Sequence, residues 1–120
     1  MPSKSNVLRE WTFWIRTELC GECRAHLEAT KLPELKMQPG CQRATALFRD
    51  LGDGSTEVMV VSTWDGMDSI RAFAGDAVLQ PTIAQEDRSK LIDRESVVRH
   101  YLVADHGASG IMPLDRARVK

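Results

Sequence analysis

From Leu8 to Arg16 apolar and polar positions alternate, with Trp11, Phe13 and Ile15 on one side and Glu10, Thr12, Trp14 and Arg16 on the other. A period of two predicts a strand, and Trp14 is the odd residue on its otherwise polar side. The period then lengthens. Leu19, Cys23, His26 and Leu27 recur at helical spacing, which predicts a helix from Thr17 or Glu18 to about Thr30. Leu32 to Pro39 reads as a connector with at most one helical turn, because Pro33 and Pro39 limit longer regular structure. Pro39-Gly40 marks a turn. Alternation returns over Gln42 to Asp50, with Ala44, Ala46 and Phe48 opposite Arg43, Thr45, Leu47 and Arg49. Gly52-Asp53-Gly54 then supplies the permissive backbone of a hairpin loop.

The stretch from Thr56 to Gly75 organises the rest. Glu57 to Trp64 is rich in β-branched residues and apolar on both alternating faces, as a central strand should be. Asp65 is placed to cap a helix, and Asp68 puts a carboxylate near the helix N-terminus. Met67, Ile70, Phe73 and Ala74 recur at helical spacing, and Gly75 suits the C′ position. Asp76 then starts a short turn, and Pro81 opens a further helix reaching about Ile92. Val97 to Ala104 is the last strand, with Arg99, Tyr101 and Val103 opposite Val98, His100 and Leu102. The order β-α-β-β-α-β, with an extra helix before the last strand, predicts an α+β fold. It is the ferredoxin-like split βαβ arrangement with a four-stranded antiparallel sheet. Residues 1–104 read as one domain and residues 105–120 as a C-terminal tail.

In that arrangement two helices cover one face of the sheet, and the other must be polar or buried elsewhere. Neither face is cleanly polar here: the third strand offers Met59 and Val61 on one side and Val58, Val60 and Trp64 on the other. Pairing two sheets about a twofold axis would cover the second face, so a homodimer is expected.

A strand ending in Ser62-x-Trp64, followed by Asp65 and a helix ending Ile70-Arg71-Ala72-Phe73-Ala74-Gly75, resembles the antibiotic-biosynthesis-monooxygenase-like family. The resemblance continues at Leu32-Pro33-x-Leu35, Pro39-Gly40 and Val98-x-His100-Tyr101, and covers roughly residues 9 to 104. It implies a dimeric α+β barrel and a pocket between helices and sheet, but the family shares its fold more reliably than a reaction. Its cofactor-independent oxygenation of polycyclic aromatics uses an asparagine with a tryptophan and a tyrosine or arginine. Trp64 matches the tryptophan, whereas the only asparagine, Asn6, precedes the first strand. Haem-degrading relatives need an asparagine in the first strand and a histidine after the second long helix. No histidine occurs between Gly75 and Arg99, so the resemblance does not extend to haem breakdown.

Composition narrows the setting. The 120 residues, 42% hydrophobic and 28% charged, have the make-up of an ordinary globular domain. A formal net charge of −1 gives no reason to expect nucleic acid or an anionic membrane as a partner. No run approaches a membrane span, and the N-terminal MPSKSNVLREW lacks the apolar core of a signal peptide, so a cytoplasmic setting is expected. Three cysteines, an odd number, read as reduced thiols.

Cys20-Gly21-Glu22-Cys23 at a helix start is the most conspicuous motif. It suits a redox pair or, with His26, part of a zinc site; small residues on a half-buried helix face are the plainer reading. No resident metal and no cofactor are expected. His100 sits between apolar neighbours on its strand face, either as a satisfied structural histidine or as a general base. Trp14 reads as a dimer contact or a pocket wall. Trp64 and Phe73 read as core that also borders a cavity, with Cys23 and His26 facing them from the first helix. No Gly-rich phosphate loop, Ser-centred nucleophile motif or acidic metal motif occurs. The functional expectation is a cofactor-independent monooxygenase-like protein acting on a small aromatic or quinone-like molecule. The alternative is a non-catalytic small-molecule binder or accessory protein on the same scaffold. Candidate pocket residues are Trp64, Phe73, His100, His26, Cys23 and Trp14.

Overall fold

Strand β1 (Val7–Arg16) lies inside the sheet because both of its edges find partners, as its alternation of large residues requires. The computed structural model describes residues 6–75, 78–79, 81 and 90–104. One edge of β1 pairs along its full length with β3 (Ser55–Trp64), antiparallel, placing Phe13 opposite Val58, Trp11 opposite Val60 and Arg9 opposite Ser62. β2 (Cys41–Asp50) pairs with the outer edge of β3, and its Ala46 and Phe48 extend the same apolar rows across Val60 and Val58.

The other edge of β1 is shared by two short strands, giving the sheet order β2-β3-β1-β4 with β5 also on β1. β4 (Leu91–Arg94) faces Phe13 to Ile15, and β5 (Arg99–Leu102) faces Val7 to Glu10. The register of β4 on β1 shifts between Trp14 and Ile15, and Glu95 holds closed the gap between β4 and β5. Its N–H donates to Thr12 O at 2.9 Å, its carbonyl accepts from Trp11 Nε1 at 2.7 Å, and its carboxylate accepts from Thr12 N at 3.2 Å. The two strands thus act as one interrupted fourth strand. Here the expected helix reaching Ile92 is corrected: Leu91 and Ile92 belong to β4, where they satisfy an edge of β1 that would otherwise stay open. The rest of that expected helix, the turn at Asp76 and the 105–120 tail lie outside the described residues.

The first helical layer runs further than its prolines suggest. A 3₁₀ turn (Thr17–Leu19) leads into α1 (Cys20–His26), a π-helical turn (Leu27–Lys31) and α2 (Leu32–Lys36). At the junction Leu32 N–H reaches back five residues to Leu27 O, so the ladder has already widened where Pro33 brings no N–H. Pro33 then occupies the first turn of α2, the helical position that tolerates it. The connector expected at this point is therefore helix up to Lys36.

α3 (Met67–Ala74) follows β3 and buries Ile70. The expected Asp65 cap is corrected: Gly66 holds the cap position without a side-chain bond, and Asp65 instead accepts from Ser69 Oγ at 2.6 Å. This entry is docked on the Pro39-Gly40 turn, where Asp65 N–H donates to Gly40 O at 2.9 Å. Gly40 has φ +89°, and a Cβ there would collide with the Ser69 side chain and the Asp65 carboxylate. Only glycine serves at this seam.

Among the described residues two apolar clusters form the core. Val7, Leu35, Cys41, Trp64 and Ile70 make one; Phe13, Ile15, Leu27 and Val58 make the other. Along β1 they leave Arg9 and Trp11 between them. None of the described helices is long and apolar enough to cross a membrane.

Candidate functional site

A cavity of about 710 Å³ lies between the helical layer and the sheet. Period two puts Arg9, Trp11, Phe13 and Ile15 of β1 on its floor, with Val60 and Ser62 beside them from β3. Leu19, Cys23, His26, Leu27 and Lys31 face it from the helical run, and Phe73 closes one end from α3. Leu91 and Val98 complete the far side. Its volume falls in the range of small-molecule sites, ~300–1,000 Å³, and its lining has their usual make-up of apolar walls with a few polar groups.

The polar end is built on Arg9. Its residue surface is 7% exposed, and its guanidinium lies 5.8 Å over the Phe73 ring. Nη1 donates to Val78 O at 2.6 Å and lies 3.0 Å from His100 Nε2, where the imidazole must be the acceptor. Burial lowers the Arg9 pKa from its ordinary value, and a guanidinium keeps its charge in proteins near neutral pH. His100 is held below the ordinary histidine value by burial first, then by the charges of Arg9 and Arg71. Lys31 is also lowered, chiefly by burial, with Glu34 opposing and Arg9 adding to the shift. At the rim Lys90 Nζ meets Glu22 at 2.5 Å, and this bond with the lysine's charge keeps the exposed Glu22 carboxyl below its usual range.

The residues expected to form a pocket separate into three groups. Cys23, His26 and Phe73 line the cavity, with His26 exposed at its mouth. Trp64 and His100 stand one layer behind the wall. Trp64 is fully buried, stacks on Phe73 with ring centroids 5.4 Å apart and donates its indole N–H to Ser62 Oγ at 2.8 Å. His100 reaches the cavity only through Arg9. Trp14 lies on the opposite sheet face, in a shallow depression with Leu8, Leu47, Met59, Val61 and Tyr101. Polar groups sit in the same depression. The Glu10 carboxylate accepts from Thr12 Oγ1 and lies 3.5 Å from Arg99, and Glu57 pairs with Arg49 at 2.9 Å.

Arg9 was not singled out by sequence reading, although a signal was present. Extending the row Trp11, Phe13, Ile15 back by two positions lands on an arginine in an apolar phase. Of the cysteines, Cys41 belongs to the core and burial pushes its thiol up. Cys20 and Cys23 are half-buried and not disulfide-bonded. Among the described residues, no group of three or more His, Cys, Asp or Glu side chains is placed to hold a metal ion.

No protein-family model and no curated protein matches this chain. Solved structures do. A Bacillus cereus protein provisionally named an antibiotic biosynthesis monooxygenase superposes with a TM-score of 0.62 at 14% identity, over 88% of this chain and 99% of that one. A heme-degrading protein from Mycobacterium tuberculosis gives 0.60 at 17% identity, over 87% and 98%. A Deinococcus radiodurans protein, also provisionally named an antibiotic biosynthesis monooxygenase, gives 0.59 at 16% identity, over 88% and 98%. The chain has the fold of the antibiotic-biosynthesis-monooxygenase-like proteins.

One prediction concerns His100. Its depressed folded-state value means that the unfolded chain binds the proton more readily. Its contribution to stability is therefore complete above the ordinary value of 6.5 and is lost as pH falls below it. A proton NMR titration should find the His100 ring below that value, and Arg9→Met should raise it. A ring that titrates at or above 6.5 in the wild type contradicts the account.

Proposed function

We propose that this chain binds a small aromatic or quinone-like molecule in the cavity between helices and sheet, and oxygenates it without a cofactor. The cavity carries this reading: its aromatic floor, Trp11 and Phe13, suits a flat apolar ligand, and Phe73 offers an end wall. In cofactor-free oxygenation the substrate supplies the electrons. A ring CH₂ becomes C=O, one atom of O₂ enters the product and the other leaves as water. The chain's part is to hold the ring, exclude bulk water and fix its orientation. Names attached to neighbours in the Bacillus cereus and Deinococcus radiodurans structures support this class of reaction. Among the described residues the histidines do not favour haem, since His100 Nε2 is engaged by Arg9 and His26 sits at the exposed rim.

A second reading, binding without turnover, is favoured by two placements. Trp64 is sealed behind Phe73 with its N–H engaged, and Asn6 accepts from Gln42 on the surface at 3.3 Å. Neither residue is where it could touch a ring in the cavity.

The working unit in either reading is a homodimer formed through the open sheet face. Leu47, 52% exposed, and Tyr101, 49% exposed, flank the depression around Trp14 and Met59 on that face. A second copy would cover this mixed surface, at a total burial of at least ~1,200 Å².

Two measurements follow. Oxygen uptake should exceed the spontaneous rate with at least one anthrone of a panel of anthrones and hydroquinones, with the ring CH₂ converted to C=O. Ligand-induced thermal shifts from the same panel with no added uptake would reject oxygenation and establish the second reading. Sedimentation at micromolar concentration should give twice the mass of the chain, and a compact monomer would remove the dimer.

A further inference from the structure

Ser62 is a polar residue in the inward row of a central strand, 3% exposed and on the floor of the cavity. Its hydroxyl oxygen accepts the indole N–H of the wholly buried Trp64 at 2.8 Å. A serine hydroxyl holds two acceptor lone pairs and one proton to give, so this bond leaves the proton unspent. Among the described residues the Ser62 side chain makes no other hydrogen bond. Its neighbours on the same sheet face explain why. Arg9 stands opposite on β1 and Ala44 on β2, while Val60 and Trp64 flank it along β3. Guanidinium and indole N–H groups only donate, and alanine and valine do neither, so none of these side chains offers the proton an acceptor. The direction left to it is the cavity that Ser62 lines. An unmade bond in a site shut away from bulk water costs free energy that an acceptor on a ligand would recover.

We propose that Ser62 reads the oxygen of the ligand: its hydroxyl donates to a ring carbonyl, so the cavity selects aromatic ketones and quinones over hydrocarbons of the same shape. This rests on the small-molecule reading above and adds the group that is recognised and the residue that recognises it. Trp64 sets the geometry. Its indole, stacked on Phe73, holds one lone pair of the Ser62 oxygen and so narrows the positions open to the proton before a ligand arrives. The two bonds run in series, N–H to hydroxyl and hydroxyl to carbonyl, and each polarises the other. Trp64 thereby acts on a ring that it does not touch.

The test uses 9-fluorenone and fluorene, one ring system with and without a carbonyl, titrated against the full chain in the absence of oxygen. Wild type should bind the ketone roughly threefold to tenfold more tightly, the size of one neutral hydrogen bond. The carbonyl stretch of the bound ketone, read by isotope-edited infrared difference, should fall below its value in hexane. Ser62→Ala should abolish the preference and return the stretch to the hexane value, whereas Ser62→Thr, which keeps the hydroxyl, should retain both. In the wild type the Trp64 indole N–H resonance should move further with the ketone than with the hydrocarbon. This readout, like the wild-type ratio, needs no variant and stands if Ser62→Ala fails to fold. Equal affinities in the wild type, a lowered stretch that survives Ser62→Ala, or a Trp64 resonance that responds alike to both probes would overturn the role of Ser62 and leave the cavity as a site for the ring alone. Failure of both probes to bind would overturn the small-molecule reading together with it.

Discussion

The full-length antiparallel register of β1 against β3 is the constraint on which the molecule depends. It places Arg9, Trp11, Phe13 and Ile15 toward the helices and leaves Glu10, Thr12 and Trp14 on the open face. A slip of one residue would exchange the two rows, putting a carboxylate and a threonine under the helices and the guanidinium outside. The register is held from several sides. Val58 and Ile15 are almost wholly buried, β2 repeats the apolar rows beyond β3, and Glu95 ties the interrupted fourth strand to Trp11 and Thr12.

The cavity follows from how the helical layer meets that floor. The core clusters at the two ends of β1 bring the helices down through Leu35 and Ile70 at one end and Leu27 at the other. Between Leu27 and Leu35 the helical run presents the polar side chains of Thr30, Lys31 and Glu34 to the cavity, and the π-helical turn changes the phase of the layer just before Pro33. A continuous α-helix with leucines at those positions would close the space. The packing that makes the fold stable thus surrounds the cavity without filling it.

Much of this was legible from period alone. The inward and outward rows of β1, β2 and β3, the β2–β3 hairpin and the helix ending at Gly75 all follow from apolar spacing and glycine chemistry. The extension of helix through Pro33 was not, because a π turn is a backbone adjustment with no side-chain period of its own. The strand at Leu91–Arg94 was missed because Leu91 and Ile92 read equally well as a helix end; the open edge of β1 decides between them. Within the site, Cys23, His26 and Phe73 were identifiable by facing direction. Trp64 and His100 share the cavity side of the sheet but stand one layer behind its wall, a depth that period, which reports direction alone, does not give. Arg9 stands in plain alternation, but period does not tell a buried charge from a solvated one at a strand end.

The central claim is that the helix-side face of β1, rather than the open face, receives a small aromatic molecule. Crystals soaked with a brominated naphthol and measured at the bromine absorption edge test it most directly. One anomalous peak per chain is expected between Trp11 or Phe13 and the helical run near Cys23. A peak on the opposite face beside Trp14, or a saturated soak without a peak in the cavity, would contradict it.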